Sequence, residues 1–330
     1  MKMKMKIAII GAGALGSLFG GLLAEAGREV WLYNPHFVEH IERINAEGLV
    51  IEEEGRERRV KIKATTKIED IGVADLVALF VKAPDTEEAI KGALPTIGRD
   101  TWVLSLQNGL GIAEEIAKWV DKARILRGIT TLGSTLVGPG KIVHAGKGDT
   151  VIGRVRGGEV HEIINAFNEA GIRTLYDPDV ERLVWEKLLI NLGINALTAV
   201  FNVRNGELVR DRDLREVMRE VIEEGVEVAC RHGLGFSPDE VIAKAEDVCR
   251  LTGDNISSML QDIRRGRRTE IDYINGAIVR EGERLGVGTP LNRLLTKLVK
   301  VKSMGAGLRD RSDPVGSPAL SPRGDRQSRW

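Results

Sequence analysis

The chain has 330 residues, more than one ordinary hydrophobic core organises, and this length predicts two domains. It is 42% hydrophobic and 29% charged, as globular proteins are, and its 48 Lys and Arg balance 48 Asp and Glu. This balance argues against a general nucleic-acid binder or a membrane-surface protein. The two cysteines, Cys230 and Cys249, are expected to be reduced thiols, buried or half-buried. The five histidines are scattered, so no metal site is expected.

The N-terminus imitates a secretory signal. A basic start at residues 1–6 precedes an uncharged run at residues 7–24, whose length approaches that of a membrane span. Five glycines interrupt this run and weaken one continuous helix. A strand, a glycine turn and a buried helix explain the same residues better. We therefore expect no targeting segment and a cytoplasmic protein.

Strands and helices alternate through the first half of the chain. Predicted strands are Lys6–Ile10, Glu29–Tyr33, 74–81, 101–106 and 172–175, and a β-hairpin or an edge excursion is expected at 49–64. Predicted helices are 15–26, 38–46, Thr86–Ala93, 112–119 and 160–170, with a β-rich stretch at 124–153. Such alternation predicts an α/β domain with a mostly parallel sheet and helices on both faces.

The pattern changes near residue 177. Residues 180–300 show helical periodicity almost throughout, and residues 303–330 are rich in Gly, Pro, Ser and Arg and poor in apolar side chains. We predict a Rossmann-type dinucleotide-binding domain at 1–177, an all-α domain at 178–302 and a disordered tail at 303–330.

A phosphate-binding turn follows the first strand. It has the G-x-G-x-x-G spacing and consists of Gly11, Ala12, Gly13, Ala14, Leu15 and Gly16. The first glycine allows the tight turn, the second lets the backbone approach a pyrophosphate, and the third lets helix pack on strand. Free N–H groups at the helix start would hold the phosphates. The alternative is a tight βα turn without a ligand.

The residues after the second strand bear on cofactor choice. No Asp or Glu follows Tyr33 to hold a ribose 2′-hydroxyl, which argues against strict NAD preference, and no arginine is there for a 2′-phosphate. Lys82, just past strand 74–81, is our candidate for that positive charge, although a solvated lysine at a strand end is the alternative. We expect NADP, with NADPH as donor, and keep NAD(H) open.

Three polar residues align on a strongly apolar predicted helix at residues 184–201. Lys187, Asn191 and Asn195 are spaced i, i+4, i+8 and share one helical face. Because buried polar groups need partners and burial lowers a lysine pKa, the stripe fits a proton donor to a developing alkoxide. A purely structural polar ladder is the alternative.

Two further segments are candidates for site residues. Residues 107–111, Gln-Asn-Gly-Leu-Gly, follow a parallel strand at the edge where ligands bind open sheets, or form an ordinary capped turn. Residues 264–268 contain four arginines flanked by Asp262, Glu270 and Asp272. In isolation they look like a nucleic-acid patch, but in a neutral chain we expect a solvated turn with salt bridges.

These motifs together resemble the ketopantoate reductase (2-dehydropantoate 2-reductase) family, over about residues 5–300. Besides the glycine turn, the matching stretches are 106–109, 185–195, 205–208 and 257–276, of which the last is the most specific. The resemblance implies a Rossmann domain followed by an all-helical domain, and NADPH-dependent reduction of ketopantoate to (R)-pantoate on the way to pantothenate and coenzyme A. A homodimer is our expectation for the assembly.

The resemblance also implies site residues. Lys187 matches the family's catalytic lysine, and Glu270 matches a carboxylate that contacts the substrate hydroxyl and orders the lysine. The positions that match substrate-binding residues are Asn108, Asn191, Asn195, Asn205 and Ser258, with Asn108 also near the nicotinamide. The family's basic residue after the second strand is missing here, and the tail matches no family element. The alternatives are a two-domain dehydrogenase for a 3-hydroxy acid or sugar phosphate, and a nicotinamide sensor without turnover.

Overall fold

The computed structural model describes residues 5–155 and 160–309. The strands are β1 Lys6–Ile10, β2 Glu29–Tyr33, β3 Leu49–Glu53, β4 Arg56–Val60, β5 Lys63–Thr65, β6 Ala74–Leu79, β7 Ile97–Ser105, β8 Ile125–Thr130, β9 Gly133–Gly138, β10 Lys141–Gly146, β11 Thr150–Arg154 and β12 Thr174–Tyr176. The helices are α1 Ala14–Glu25, α2 Val38–Glu47, α3 Thr86–Ala93, α4 Ile112–Ile116, α5 His161–Glu169, α6 Val180–Phe201, α7 Glu207–Arg210, α8 Arg212–Arg231, α9 Pro238–Leu251, α10 Ser258–Arg264, α11 Asn275–Leu285 and α12 Pro290–Arg309.

An eight-stranded sheet organises the first half, in the order β12-β11-β8-β7-β6-β1-β2-β5. All neighbours in it are parallel except β8 and β11. Strand β1 lies between β2 and β6, so the strand order reverses beside it and opens a crevice at the carboxyl ends. The predicted α/β Rossmann-type fold is confirmed, and the expected hairpin is β3–β4. That hairpin continues into a second sheet of four strands, in the order β4-β3-β10-β9.

Most predicted bounds agree with the structure because apolar periodicity is strong in the parallel strands. Strands β1 and β2 and helix α3 have the predicted bounds. Strand β7 begins at Ile97, before the predicted residue 101, because Ile97 pairs with Ala74 of β6 ahead of an irregularity in the register. Helix α4 ends at Ile116, short of the predicted 119.

Helix α6 is the central helix of the second, all-helical half. It packs against α8, α9, α10 and α12, and also against β8 of the first half. It is long and apolar enough to cross a membrane by length and composition, but 67% of its most apolar window is buried inside the fold. Burial by surrounding helices explains its apolar character, and one face of α6 packs against the eight-stranded sheet.

Two details of the second half differ from expectation. Helix α12 continues to Arg309, so the first residues assigned to a disordered tail are helical, while 310–330 lie outside the described residues. Cys249 is buried as predicted, and burial raises the pKa of its thiol to about 12. Cys230, in contrast, is exposed, because it lies on the solvent side of α8 near its end.

Candidate active site

The glycine turn joins β1 to α1 at the crevice. Gly11 has a φ of +99°, and a Cβ there would lie 2.8 Å from the backbone nitrogen of Val81. A Cβ on Gly16 would lie 2.3 Å from the carbonyl oxygen of Gly11. A Cβ on Gly13, by contrast, would meet nothing within 4 Å. Gly11 and Gly16 are therefore needed for packing. Gly13 faces open space, as the close approach of a ligand to the backbone requires.

The backbone N–H groups of the turn divide into two sets. Those of Gly11 and Ala12 donate to the carbonyl of Tyr33, at 3.0 and 3.1 Å, and so tie the turn to β2. Ser17 makes the first helical hydrogen bond, to Gly13, so Ala14, Leu15 and Gly16 belong to the first turn, whose N–H groups have no intrahelical acceptor. Since no side chain within residues 5–155 and 160–309 caps α1, this helix start is suited to an anion.

A cavity of about 620 Å³ lies beside the turn, at the carboxyl ends of β1, β2 and β6. Its lining includes Gly11, Gly13, Tyr33, Asn34 and Lys82. The size, the open side of the second glycine and the uncapped helix fit a dinucleotide. Lys82 forms an ion pair with Asp262, which lies at the end of α10 and is 7% exposed. The lysine predicted to meet a 2′-phosphate therefore already neutralises a buried carboxylate of the helical half.

Lys187 lies where α6 meets the sheet. Its ammonium donates to the carbonyl oxygen of Thr130, the last residue of β8, at 2.9 Å. Burial lowers the pKa of Lys187 to about 8, while the negative charge of Glu270 acts in the opposite direction. An ammonium with this pKa holds a proton at neutral pH and releases it more readily than an ordinary lysine.

Glu270 lies in the segment between α10 and α11 and connects three parts of the site. Its carboxylate accepts from the backbone N–H of Ala83 at 3.2 Å and from the side-chain amide of Asn108 at 3.5 Å. Burial raises the pKa of Glu270, and the Ala83 hydrogen bond and the charge of Lys82 oppose that rise. The structure thus brings Glu270 and Asn108 together, with Lys187 within electrostatic reach.

The loop that carries Asn108 is fixed on both sides. The amide of Gln107 donates to the carbonyl of Val81 and to the hydroxyl of Thr86, both at 2.9 Å. Gly109 has a φ of +108°, and a Cβ there would lie 2.5 Å from the carbonyl oxygen of Tyr273. The backbone of this loop therefore touches the helical half directly, which an ordinary capped turn would not require.

The remaining predicted residues lie along α6 and near its end. Asn191 is half-buried and Asn195 is buried, and among the described residues no hydrogen bond is assigned to either side-chain amide. Asn205 is buried and donates to the hydroxyl of Thr252 at 2.9 Å, and its Oδ1 has no partner among the described residues. Ser258 is the exposed first residue of α10. No described hydrogen bond connects Asn205 or Ser258 to Lys187.

Several residues of the site were not found by sequence reasoning. Thr130 and Ala83 contribute only backbone groups, for which the sequence carries no signal. Asp262 was noticed only as a neighbour of the arginines, yet it pairs with Lys82 across the two halves. Ser257, next to the predicted Ser258, caps α10 and accepts from the hydroxyl of Thr198 at 2.7 Å, which fixes α10 to α6.

The arginine turn is solvated as predicted, since all four guanidinium side chains are exposed. Within the described residues the turn has an ion pair between Arg268 and Asp85, at 3.7 Å, and none with its flanking carboxylates. Asp262 pairs with Lys82, Asp272 pairs with Lys300, and Glu270 accepts from Ala83 and Asn108. Adjacency in the sequence therefore does not identify the ion-pair partners of this turn.

Comparison with known proteins agrees with this architecture. Residues 7–157 match the ketopantoate reductase PanE/ApbA family, and residues 179–303 match its C-terminal domain. A 2-dehydropantoate 2-reductase of Pyrococcus horikoshii is 41% identical over 92% of this chain and 99% of its own length. One of Archaeoglobus fulgidus is 39% identical over 89% of this chain and 97% of its own.

Solved structures show the same arrangement. A ketopantoate reductase of this family from Ralstonia eutropha has a TM-score of 0.85 and 34% identity, covering 92% of this chain and all of its own. A D-mandelate dehydrogenase with NADH and anilino(oxo)acetate has a TM-score of 0.87 and 32% identity, covering 92% of this chain and 99% of its own. By its sequence, its two halves and its site, this chain belongs to the ketopantoate reductase family.

Proposed function

We propose that the protein is a 2-dehydropantoate 2-reductase, which reduces ketopantoate to (R)-pantoate with NADPH for pantothenate and coenzyme A synthesis in the cytoplasm. The observation that carries this proposal is the position of Lys187. Its ammonium projects from an apolar helix onto the nucleotide-binding sheet, and its pKa is lowered to about 8. The names of the relatives, at up to 41% identity over most of the chain, support the substrate.

The cofactor would be held by the glycine turn, residues Gly11, Ala12, Gly13, Ala14, Leu15 and Gly16, together with Lys82, Asn108 and Glu270. When bound, the nicotinamide supplies the hydride that the keto carbon accepts. Two D-mandelate dehydrogenase structures of this fold contain NADH, so the class of cofactor has support, while the preference for NADPH is our proposal. Through its ion pair with Asp262, Lys82 would hold the helical half against the cavity that binds the cofactor.

Proton delivery is the task of Lys187. As negative charge develops on the keto oxygen, the ammonium donates to that oxygen and the lysine is left neutral. A pKa of about 8 keeps the lysine charged at neutral pH yet makes the transfer easier than from an unperturbed ammonium. Its hydrogen bond to Thr130 fixes the direction of the donor before substrate enters.

Glu270 and the amides would bind the rest of the ketoacid. Glu270 would accept from the substrate hydroxyl, and Asn108, held against Glu270, would orient both substrate and nicotinamide. Asn191, Asn195, Asn205 and Ser258 would contact the carboxylate, keto and hydroxyl oxygens. The unpartnered, buried Oδ1 of Asn205 supports this assignment, because an acceptor in that state favours a ligand that donates to it.

A second candidate substrate has its own support. The D-mandelate dehydrogenase neighbour, at 32% identity, carries a 2-oxo acid analogue with an aromatic ring. Both reactions would use the same lysine, and in both a keto carbon accepts the hydride. The preference between the two substrates therefore depends on the pocket that holds the rest of the ketoacid.

The test is a steady-state assay of ketopantoate and phenylglyoxylate, each with NADPH and with NADH. Turnover is measured as the loss of nicotinamide absorbance. We expect the highest kcat/KM for ketopantoate with NADPH. A higher kcat/KM for phenylglyoxylate would favour the second candidate. Lys187→Ala should lose about 10²- to 10⁴-fold in kcat, and near-wild-type turnover in that variant would contradict either reaction at this site. Sedimentation of the same preparation tests the expected homodimer.

A further inference from the structure

The four arginines at the end of α10 and just after it fall into two pairs. Arg264 donates to the side-chain oxygen of Asn202 at 2.9 and 3.1 Å, and Arg268 lies 3.7 Å from Asp85. Within residues 5–155 and 160–309, neither Arg265 nor Arg267 has a carboxylate at ion-pair distance or a side-chain hydrogen bond. Two exposed guanidinium groups are thus available for a ligand.

Both of these guanidinium groups face the glycine turn. They line a cavity of about 340 Å³ whose other residues come from the turn, from the segment between β2 and α2, and from β9: Gly13, Ala14, Asn34, Phe37, Ser134, Thr135 and Leu136, with Gln261 beside the arginines. The start of α1 therefore forms one wall, and cations of the helical half form the opposite wall.

The charge in this cavity is positive. None of its lining residues is acidic. Burial raises the pKa of the nearby Asp262 carboxyl, the positive charges of Lys82 and of the two arginines oppose that rise, and the carboxylate is already paired with Lys82. The helix start adds partial positive charge on the opposite wall. Two guanidinium groups facing an uncapped helix start form an arrangement that binds a phosphate.

We propose that Arg265 and Arg267 bind a phosphate of the dinucleotide from across the crevice, in place of the basic residue that β2 lacks. The assignment rests on the proposed function, which places a nicotinamide dinucleotide on the glycine turn. Asn34, at the end of β2, lines this cavity and also the larger one beside the turn. Because the end of β2 is where a ribose 2′-oxygen is recognised, the 2′-phosphate of NADPH is the phosphate we favour over the pyrophosphate.

The experiment measures binding without ketoacid. Dissociation constants for NADPH and NADH are determined from nicotinamide fluorescence for the wild-type chain and for the double variant Arg265→Gln, Arg267→Gln. Arg264→Gln is the matched control, because it removes a cation of the same turn that faces Asn202. The melting temperature of each variant, measured without cofactor, checks folding at these exposed positions.

We expect the double variant to raise the Kd for NADPH about 10- to 100-fold, with little change in the control. An unchanged Kd for NADH would assign the contact to the 2′-phosphate, and an equal rise for NADH would assign it to the pyrophosphate. The double variant Arg265→Lys, Arg267→Lys should recover part of the affinity for NADPH, because lysine keeps the positive charge but lacks the paired N–H donors of a guanidinium group.

Two outcomes would overturn the assignment, and they are distinguishable. If the wild-type chain binds both cofactors and the glutamine double variant binds them as tightly as the Arg264→Gln control does, the arginine assignment is wrong while the proposed function stands. If the wild-type chain binds neither cofactor, the proposed function fails, and this assignment fails with it.

Discussion

The lowered pKa of Lys187 predicts how turnover depends on pH. Its pKa is lowered from 10.5 to about 8, which corresponds to about 3 kcal/mol at about 1.4 kcal/mol per unit. The reduction needs the protonated lysine, so kcat should be constant below this pKa and should fall as pH rises through it. An unperturbed lysine would instead place that fall above pH 10.

The assay is kcat with saturating ketopantoate and NADPH from about pH 6 to 10. Lys187→Arg provides the comparison, because a guanidinium stays charged over this range but cannot give up its proton. We expect the arginine variant to lose most of its turnover together with the alkaline limb. An alkaline limb that persists in Lys187→Arg, or a wild-type limb near pH 10, would refute the assignment of proton donation to this lysine.

Three further predictions concern stability and binding. Lys187→Met should raise the free energy of unfolding at pH 7 by up to about 3 kcal/mol, because it removes a charge that burial disfavours. The lost hydrogen bond to Thr130 should reduce this gain by about 1 kcal/mol. That gain should disappear as pH rises from 8 towards 10.5 in denaturant titrations, and a variant less stable than wild type at pH 7 would contradict it. Gly13→Ala should leave the melting temperature unchanged and weaken NADPH binding about tenfold or more, whereas Gly16→Ala should cost about 1–3 kcal/mol of stability through overpacking. Equal melting temperatures for these two variants would be the contrary result. Asn205→Ala should raise the KM for ketopantoate while changing stability by no more than about 1 kcal/mol, and an unchanged KM would remove Asn205 from the substrate site.

The glycine turn and the Lys187 stripe could be predicted because each is encoded locally. The turn depends on three glycines between a strand and a helix, and α6 carries its lysine and asparagines at helical spacing. Periodicity is a property of neighbouring residues, so the bounds of β1 and β2 were also predictable.

The cross-domain contacts could not be predicted in this way. Lys82 and Asp262 are 180 residues apart, and nothing in either segment selects the other. The arginine turn shows the same limit, because its flanking carboxylates are the obvious partners in sequence and all three are engaged elsewhere. Backbone acceptors such as the Thr130 carbonyl have no signature in a side-chain pattern.

The hydrogen bond from Lys187 to Thr130 joins the proton donor of one half to the backbone of the other. The lowered pKa of Lys187 therefore depends on the packing of the two halves, because contact between α6 and β8 both buries the ammonium and supplies the Thr130 carbonyl that accepts from it. An amine-selective reagent should then work as a sensor of docking. Because a pKa of about 8 leaves more of the amine unprotonated near neutral pH, residue 187 should react faster than an ordinary lysine while the halves are docked, and this excess reactivity should be lost when they separate.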